Sequence, residues 1–324
     1  MTLLLREEDF EDILTWEVAA ESLKEAMRLE AEGFTDVPPR LNTGSSESWL
    51  RLMPAVLNSE DGHATMGFKA MNKADGVRYM VLLYNPESGE LLSIMDAARL
   101  TRVRTAAVTA LACQAVQPGE LEEIGLFGSG YEASSHVEAL KALYPGLRRV
   151  TVFSPTRENR EAFARRTAEA LGLEVEPVDN PASAARASVV VLATKAKTPV
   201  AEADWFEPGT LVLSIASTRL DLRELDEKVF ARTEWCVCDA PEQVASESGD
   251  VDAALEGGYL QKEQLVRMSD ILAGHRTVEW PPSDLLIFKS VGTALQDLAV
   301  ASAVYTRGLE EGRGTDLGAF PVKH

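Results

Sequence analysis

The chain is poor in cysteine: Cys113, Cys236 and Cys238 are the 3 it has in 324 residues. Their spacing forms neither a CxxC pair nor a metal-ligand set, so no metal is expected. Cys236 and Cys238 stand two apart on a predicted strand, share a face, and read as small apolar packing residues. A reduced, cytoplasmic setting is the expectation. Positive charge is also in short supply. Lys and Arg number 32 against 51 Asp and Glu, a net charge of −19, which argues against nucleic acid or an anionic membrane as partner. Long apolar runs are missing too: the longest are strand-length, far below a membrane span. The opening MTLLLREEDFEDIL carries acids where an export signal needs bases. No internal repeat or low-complexity segment is present.

What is present is 45% hydrophobic residues in a chain long enough for two domains. The most informative stretch is Glu123–Leu143, EIGLFGSGYEASSHVEALKAL. An apolar run feeds Gly128-Ser129-Gly130, and a helical pattern follows with Ala133 at the third small-residue position. This is the G-x-G-x-x-A form of the dinucleotide fingerprint. Gly128 permits the tight turn, Gly130 lets backbone approach a pyrophosphate, and Ala133 allows close helix–strand packing. The helix N-terminus offers free N–H groups and partial positive charge to phosphate. Downstream, Arg149–Phe153, Leu173–Val178, Ser188–Thr194, Gly209–Ala216 and Glu234–Asp239 read as strands, with helical segments PTRENREAFARRTAEALG and PASAARA among them. Continuous Val/Leu/Ile runs alternating with helices predict a parallel sheet covered on both faces, a Rossmann domain of the α/β class.

Ahead of it lies a different pattern. Thr15 is a candidate N-cap for an amphipathic helix Glu17–Gly33. Trp49–Met53, Thr65–Asn72, Arg78–Tyr84 and Leu91–Met95 read as strands of a separate antiparallel sheet, the last two joined by an Asn-Pro-Glu-Ser-Gly turn. Lys69 lies among apolar residues of the second strand. A helix begins near Asp96, with Leu100, Val103, Ala107, Val108 and Leu111 on its apolar face. At about 100° per residue Arg104 falls inside that face, whereas Arg99 and Arg102 fall on the solvated side. A guanidinium pressed into an apolar face needs an anion. No acid lies three or four residues away, so the partner is a distant carboxylate or a ligand.

The end of the second Rossmann strand bears on cofactor choice. NAD enzymes place an Asp or Glu there for the ribose 2′-hydroxyl. Here the strand closes with Ser154-Pro155-Thr156-Arg157, with Arg160 further on. Hydroxyls and bases without an acid favour NADP(H), whose 2′-phosphate Arg157 would pair, over NAD(H). Asp284–Leu298 gives an apolar strand, the turn Lys289-Ser290-Val291-Gly292, and a helix. The tail from Gly312 reads as loose. His136, inside the first Rossmann helix, reads as a packing or surface residue; His63 and His275 have no recognisable partners, and no catalytic histidine is expected.

Together these pieces resemble the ornithine cyclodeaminase/mu-crystallin family over nearly the whole chain. The carrying residues are Arg40, Leu52-Met53-Pro54-Ala55, Gly67-Phe68-Lys69, Leu83-Tyr84-Asn85-Pro86 with Gly89, and Met95-Asp96-Ala97 through Arg104-Thr105-Ala106-Ala107. Gly128-Ser129-Gly130, Arg223-Glu224-Leu225-Asp226 and Phe288-Lys289-Ser290-Val291-Gly292 complete the match. The resemblance implies a homodimer and two domains: residues 1–115 with 296–324 for substrate and dimerisation, and 116–295 for the dinucleotide. It implies that Arg40, Lys69 and Arg104 bind a substrate carboxylate. The expected cofactor contacts are Thr105, Gly128, Ser129, Gly130, Tyr131, Glu132, Ser154, Thr156, Arg157, Ala193, Thr194, Lys289, Ser290 and Gly292.

Two departures from the cyclodeaminases matter. Their aspartate after the fifth Rossmann strand is Thr218 here, as in the mu-crystallin branch. Their glutamate at a second position is Arg51, as in the family's alanine dehydrogenases. Binding ornithine would leave an ammonium group unpaired. The expectation is an NAD(P)H-dependent imine reductase or amino-acid dehydrogenase acting on a small 2-imino or 2-oxo acid. Arg104, Arg40 and Lys69 would fix the carboxylate. Arg51 would bind a second carboxylate of a dicarboxylate or join the same clamp. Lys69, its pKa lowered among cations, would donate the proton, and Thr218 would orient a water or the imine nitrogen. The alternatives are a cyclodeaminase-type ammonia-lyase and a non-catalytic binder of NADPH and a small ligand.

Overall fold

The computed structural model describes residues 1–45, 47–58, 64–117 and 119–321; His63 lies outside them. The chain forms two compact units. One is Met1–Val108 together with the segment from Thr293 onward, the other Thr109–Gly292. The first boundary falls within the helix Ala98–Val116. Among the described residues no helix is long and apolar enough to cross a membrane.

The unit of residues 109–292 is built on an eight-stranded parallel sheet. Its order is Glu174–Pro177, Arg149–Phe153, Glu123–Phe127, Val189–Leu192, Leu211–Ser214, Leu285–Lys289, Thr233–Cys238 and Leu265–Arg267. The first five strands take the order 3-2-1-4-5 of a Rossmann fold. Val189–Leu192 and Leu211–Ser214 are wholly buried, as strands covered on both faces must be. The sequence pattern does not show that Leu285–Lys289 inserts beside the fifth strand, nor that Leu265–Arg267 forms an eighth. Cys236 and Cys238 are buried on the same strand.

The other unit carries a mixed sheet. From one edge the order is Thr315–Asp316, Leu3–Leu5, Leu91–Asp96, Gly76–Tyr84, Thr65–Ala74, Trp49–Leu57 and Thr35–Asp36, with Leu41–Gly44 also on Trp49–Leu57. Two expectations are corrected. The sheet is not purely antiparallel, because Leu3–Leu5 runs parallel to Leu91–Asp96. The tail is not loose: Thr315–Asp316 pairs with Leu3 and Leu4, and Thr2 exchanges backbone bonds with Leu317 and Gly318. The strand read as Trp49–Met53 continues to Leu57. Pro54 is tolerated because it sits between the stretches paired to Leu41–Gly44 and to Thr35–Asp36, where no neighbour needs its N–H. One face of the sheet, with Met53, Ala55, Leu57, Val81 and Leu83, is buried under the helix Ala294–Glu311. The helix Trp16–Ala31 packs on the latter, and Thr15 caps it by accepting from the Val18 N–H.

Candidate functional site

In the unit containing residues 1–108, Lys69 lies on the covered face of the sheet, opposite Met53 and Val81. The chain approaches closely here: a Cβ on Gly67 would stand 2.0 Å from the Leu82 carbonyl oxygen. Lys69 is 1% exposed and Arg104 6%. The anion that Arg104 needs is Asp297, supplied by the covering helix. Arg104 Nε donates to Asp297 Oδ1 at 3.0 Å and Nη1 to Gln296 Oε1 at 2.9 Å. Lys69 Nζ is 2.6 Å from the other oxygen, Asp297 Oδ2. The guanidinium has five N–H groups, so these two bonds leave part of the fork for another acceptor.

Burial pushes the Lys69 pKa down to about 7; Asp297 opposes this, while the Arg104 and Arg40 charges add to it. The half-buried Arg40 is therefore close enough to act on Lys69. Lys69 and Arg104 meet on Asp297, and the Arg40 charge is felt there. Arg51 is held differently, donating to Asn42 Oδ1 at 2.6 Å and lying 5.8 Å over the Trp49 ring. Sequence reasoning did not find Asp297 or Gln296. The one signal was a Gln-Asp pair within the otherwise apolar ALQDLAVASAV.

In the unit of residues 109–292, Gly128 adopts φ +116°, and a Cβ there would lie 2.5 Å from the Ala193 carbonyl oxygen. Gly130 is the N-cap of the helix Tyr131–Leu143, and a Cβ on it would meet nothing within 4 Å. An uncapped helix end beside open space suits a dinucleotide pyrophosphate. Ser129 Oγ donates to Ser154 Oγ at 2.9 Å, joining this turn to the end of the second strand. Thr156 caps the helix Arg157–Leu171 through its backbone alone. Arg157 is exposed and bonded to Glu161 at 2.8 Å. Arg160 is buried and committed to the Ser154 carbonyl and to Asp179.

Thr194 donates through both its N–H and its Oγ1 to Glu224. Ser290 Oγ and the Gly292 N–H donate to Asp239, at 2.6 and 2.7 Å. The Lys289 side chain, expected at the cofactor, is instead fully buried. Its Nζ serves Ser214 Oγ at 2.8 Å and Asp250 Oδ2 at 3.2 Å, because a lysine at the end of a central strand has buried carboxylates to satisfy. Thr218 is half-buried, its N–H bonded to the Ala216 carbonyl. His136 is buried, with Nδ1 at the Glu132 carbonyl and Nε2 at Thr109 Oγ1, a helix-packing residue. His275 is exposed.

The family model for the ornithine cyclodeaminase/mu-crystallin family matches residues 1–312. The chain belongs to this family. Within it, the chain is 30% identical over 284 residues to the ketimine reductase mu-crystallin of Macropus fuliginosus, covering 85% of this chain and 86% of the relative. Among solved structures it resembles the Thermococcus litoralis Δ1-pyrroline-2-carboxylate reductase in complex with NADH and L-proline. That match has a TM-score of 0.90 at 26% identity, covering 97% of this chain and 100% of the other. An archaeal alanine dehydrogenase dimer with bound NAD superposes with a TM-score of 0.90 at 28% identity, over 98% and 99% of the two chains. These family members are reductases and dehydrogenases of imino and amino acids, the branch that Thr218 and Arg51 pointed to.

Proposed function

We propose that the protein is an NAD(P)H-dependent oxidoreductase of CH–NH groups that reduces a small 2-imino acid, formed as such or from a 2-oxo acid and an amine. The observation that carries this is the buried group Lys69–Arg104–Asp297 with Arg40 beside it. Lys69 and Arg104 are two cations on the one carboxylate of Asp297, and a substrate carboxylate supplies the second negative charge. The unit of residues 109–292 holds the nicotinamide dinucleotide through Gly128, Ser129, Gly130 and the helix they introduce. When bound, that cofactor supplies the hydride that adds to C2 of the imine.

The protein's own residues do the rest. Arg104 and Arg40 bind and orient the carboxylate. Asp297 keeps the Lys69 and Arg104 heads on a common centre. Lys69, with a pKa of about 7, holds the proton that the imine nitrogen takes up, so a C–H and an N–H bond form as the C=N bond becomes single. Arg51, stacked on Trp49, would extend recognition to a second carboxylate. A diamino acid fits poorly, since Asp297 already serves two cations.

NADPH is the preferred reductant in this reading. Ser154, Thr156 and Arg157 follow the second strand with no acid among them, and the Arg157–Glu161 pair is an exposed helical pair of little energetic weight, readily exchanged for a phosphate. The protein acts as a homodimer: the uncovered face of the mixed sheet presents Leu52, Pro54, Val56, Met66, Phe68 and Leu82 half-exposed, a broad apolar face for a second copy. The free, buried cysteines fit a reducing cytoplasm. The test is NADPH and NADH oxidation with pyruvate, oxaloacetate or glyoxylate plus ammonia or methylamine, alongside cyclic imino acids and ornithine. Oxidation only with imine-forming mixtures or cyclic imino acids is expected. Proline formed from ornithine without net cofactor change would overturn the reading.

A further inference from the structure

The unit of residues 109–292 buries a second ionic group that the chemistry above leaves unused. Glu224 is fully buried, and both its oxygens accept hydrogen bonds. Oε1 takes the Thr194 N–H at 2.7 Å and Thr194 Oγ1 at 2.9 Å; Oε2 takes the Ala216 N–H at 3.0 Å and Ser214 Oγ at 3.1 Å. Thr194 and Ala216 lie just past the carboxyl ends of Val189–Leu192 and Leu211–Ser214, which are neighbours in the sheet. Ligands of open α/β sheets bind at those ends. The glutamate is itself anchored. Its own N–H and that of Leu225 donate to Asp250 Oδ1 at 2.7 and 3.1 Å, and Asp250 Oδ2 receives Lys289 Nζ. Burial raises the Glu224 pKa, with Lys289 opposing the shift. An apolar residue would fill this space at lower electrostatic cost, so the charge calls for a reason.

We propose that Glu224 is a positioning residue for the dinucleotide: one carboxylate accepts from the backbone of two adjacent loops at once and fixes their spacing for the cofactor. The proposal rests on the reading that this unit binds a nicotinamide dinucleotide. Ala193 and Thr194 on one loop, and Thr218 two residues beyond Ala216 on the other, are the groups it would place.

The decisive variant is Glu224→Gln, which keeps the shape but offers one acceptor oxygen, so that either the Thr194 or the Ala216 N–H meets an amide donor. The fluorescence of bound NADH and NADPH should show dissociation constants weakened at least about tenfold. Amide exchange at residues 193–196 and 215–218 in the cofactor-free protein should quicken by a similar factor, while exchange in Val189–Leu192 stays unchanged. Ser214→Ala, which spares both backbone bonds, should bind both dinucleotides within about threefold of wild type. In the wild-type protein alone, the Thr194 and Ala216 amides should exchange as slowly as those of the strands. Wild-type binding with Glu224→Gln equally tight overturns this inference alone. So does equal damage from Ser214→Ala, or fast exchange of the two wild-type amides. A wild-type protein that binds neither dinucleotide overturns the cofactor reading and this inference with it.

Discussion

The two units each bury a lysine against carboxylate, with opposite surplus. Around Asp297 stand Lys69 and Arg104, with the Arg40 charge felt nearby. Around Lys289 stand Glu224 and Asp250. The excess negative charge of the second group is met by backbone: the N–H groups of Thr194, Ala216, Glu224 and Leu225 all point at its oxygens. The excess positive charge of the first has Gln296 for one Arg104 N–H and part of the guanidinium fork left over. A buried charge surplus matched by backbone dipoles fixes the chain around it. One left for something else to match is the ground for the proposed carboxylate site.

Asp297→Asn should break this contrast most violently, since it leaves Lys69 and Arg104 buried without their shared anion. A loss of about 3–5 kcal/mol is expected in urea unfolding. Asp250→Asn, which relieves a surplus of negative charge, should cost distinctly less. Arg104→Met should lower kcat/KM for the imino acid by about 10²–10³-fold, roughly 3–4 kcal/mol and within the range of a buried charged contact, while NADPH affinity holds. An equal fall in NADPH affinity would show that Arg104 does not act on the carboxylate.

The pH dependence sharpens the comparison further. Lys69 has its pKa lowered to about 7, so it is protonated below that pH and neutral above it. Reduction should therefore lose kcat/KM as pH rises through about 7, and amine oxidation should gain it over the same range. Lys69→Arg, which stays charged, should remove that limb from the profile. The smallest effect belongs to the exposed Arg157. Arg157→Ala should cut the preference for NADPH over NADH by about tenfold, or 1.4 kcal/mol, read from the ratio of the two kcat/KM values.

Much of this was legible in the chain. The apolar runs Val189–Leu192 and Leu211–Ser214 could only be buried strands, and Gly128-Ser129-Gly130 fell at the turn its pattern demands. Arg104 announced itself as a cation on an apolar helix face. Its partner did not, because Asp297 is 193 residues away and helical periodicity carries no information at that distance. The same blindness hid the insertion of Leu285–Lys289 beside the fifth strand, and so the fate of the Lys289 ammonium group. Short strands such as Leu3–Leu5, held between Leu91–Asp96 and Thr315–Asp316, are set by their neighbours more than by their own three residues. The tail from Gly312, which pairs with Leu3–Leu5, therefore carries no strand signal of its own.

The most direct trial of the central claim compares one cyclic imine with and without its 2-carboxylate, in wild type and in Arg104→Met. Wild type should favour the carboxylate by at least about 10²-fold in kcat/KM, and the variant should lose most of that preference. Equal rates on the two imines in wild type would contradict the account, since the buried cations would then have no substrate anion to hold.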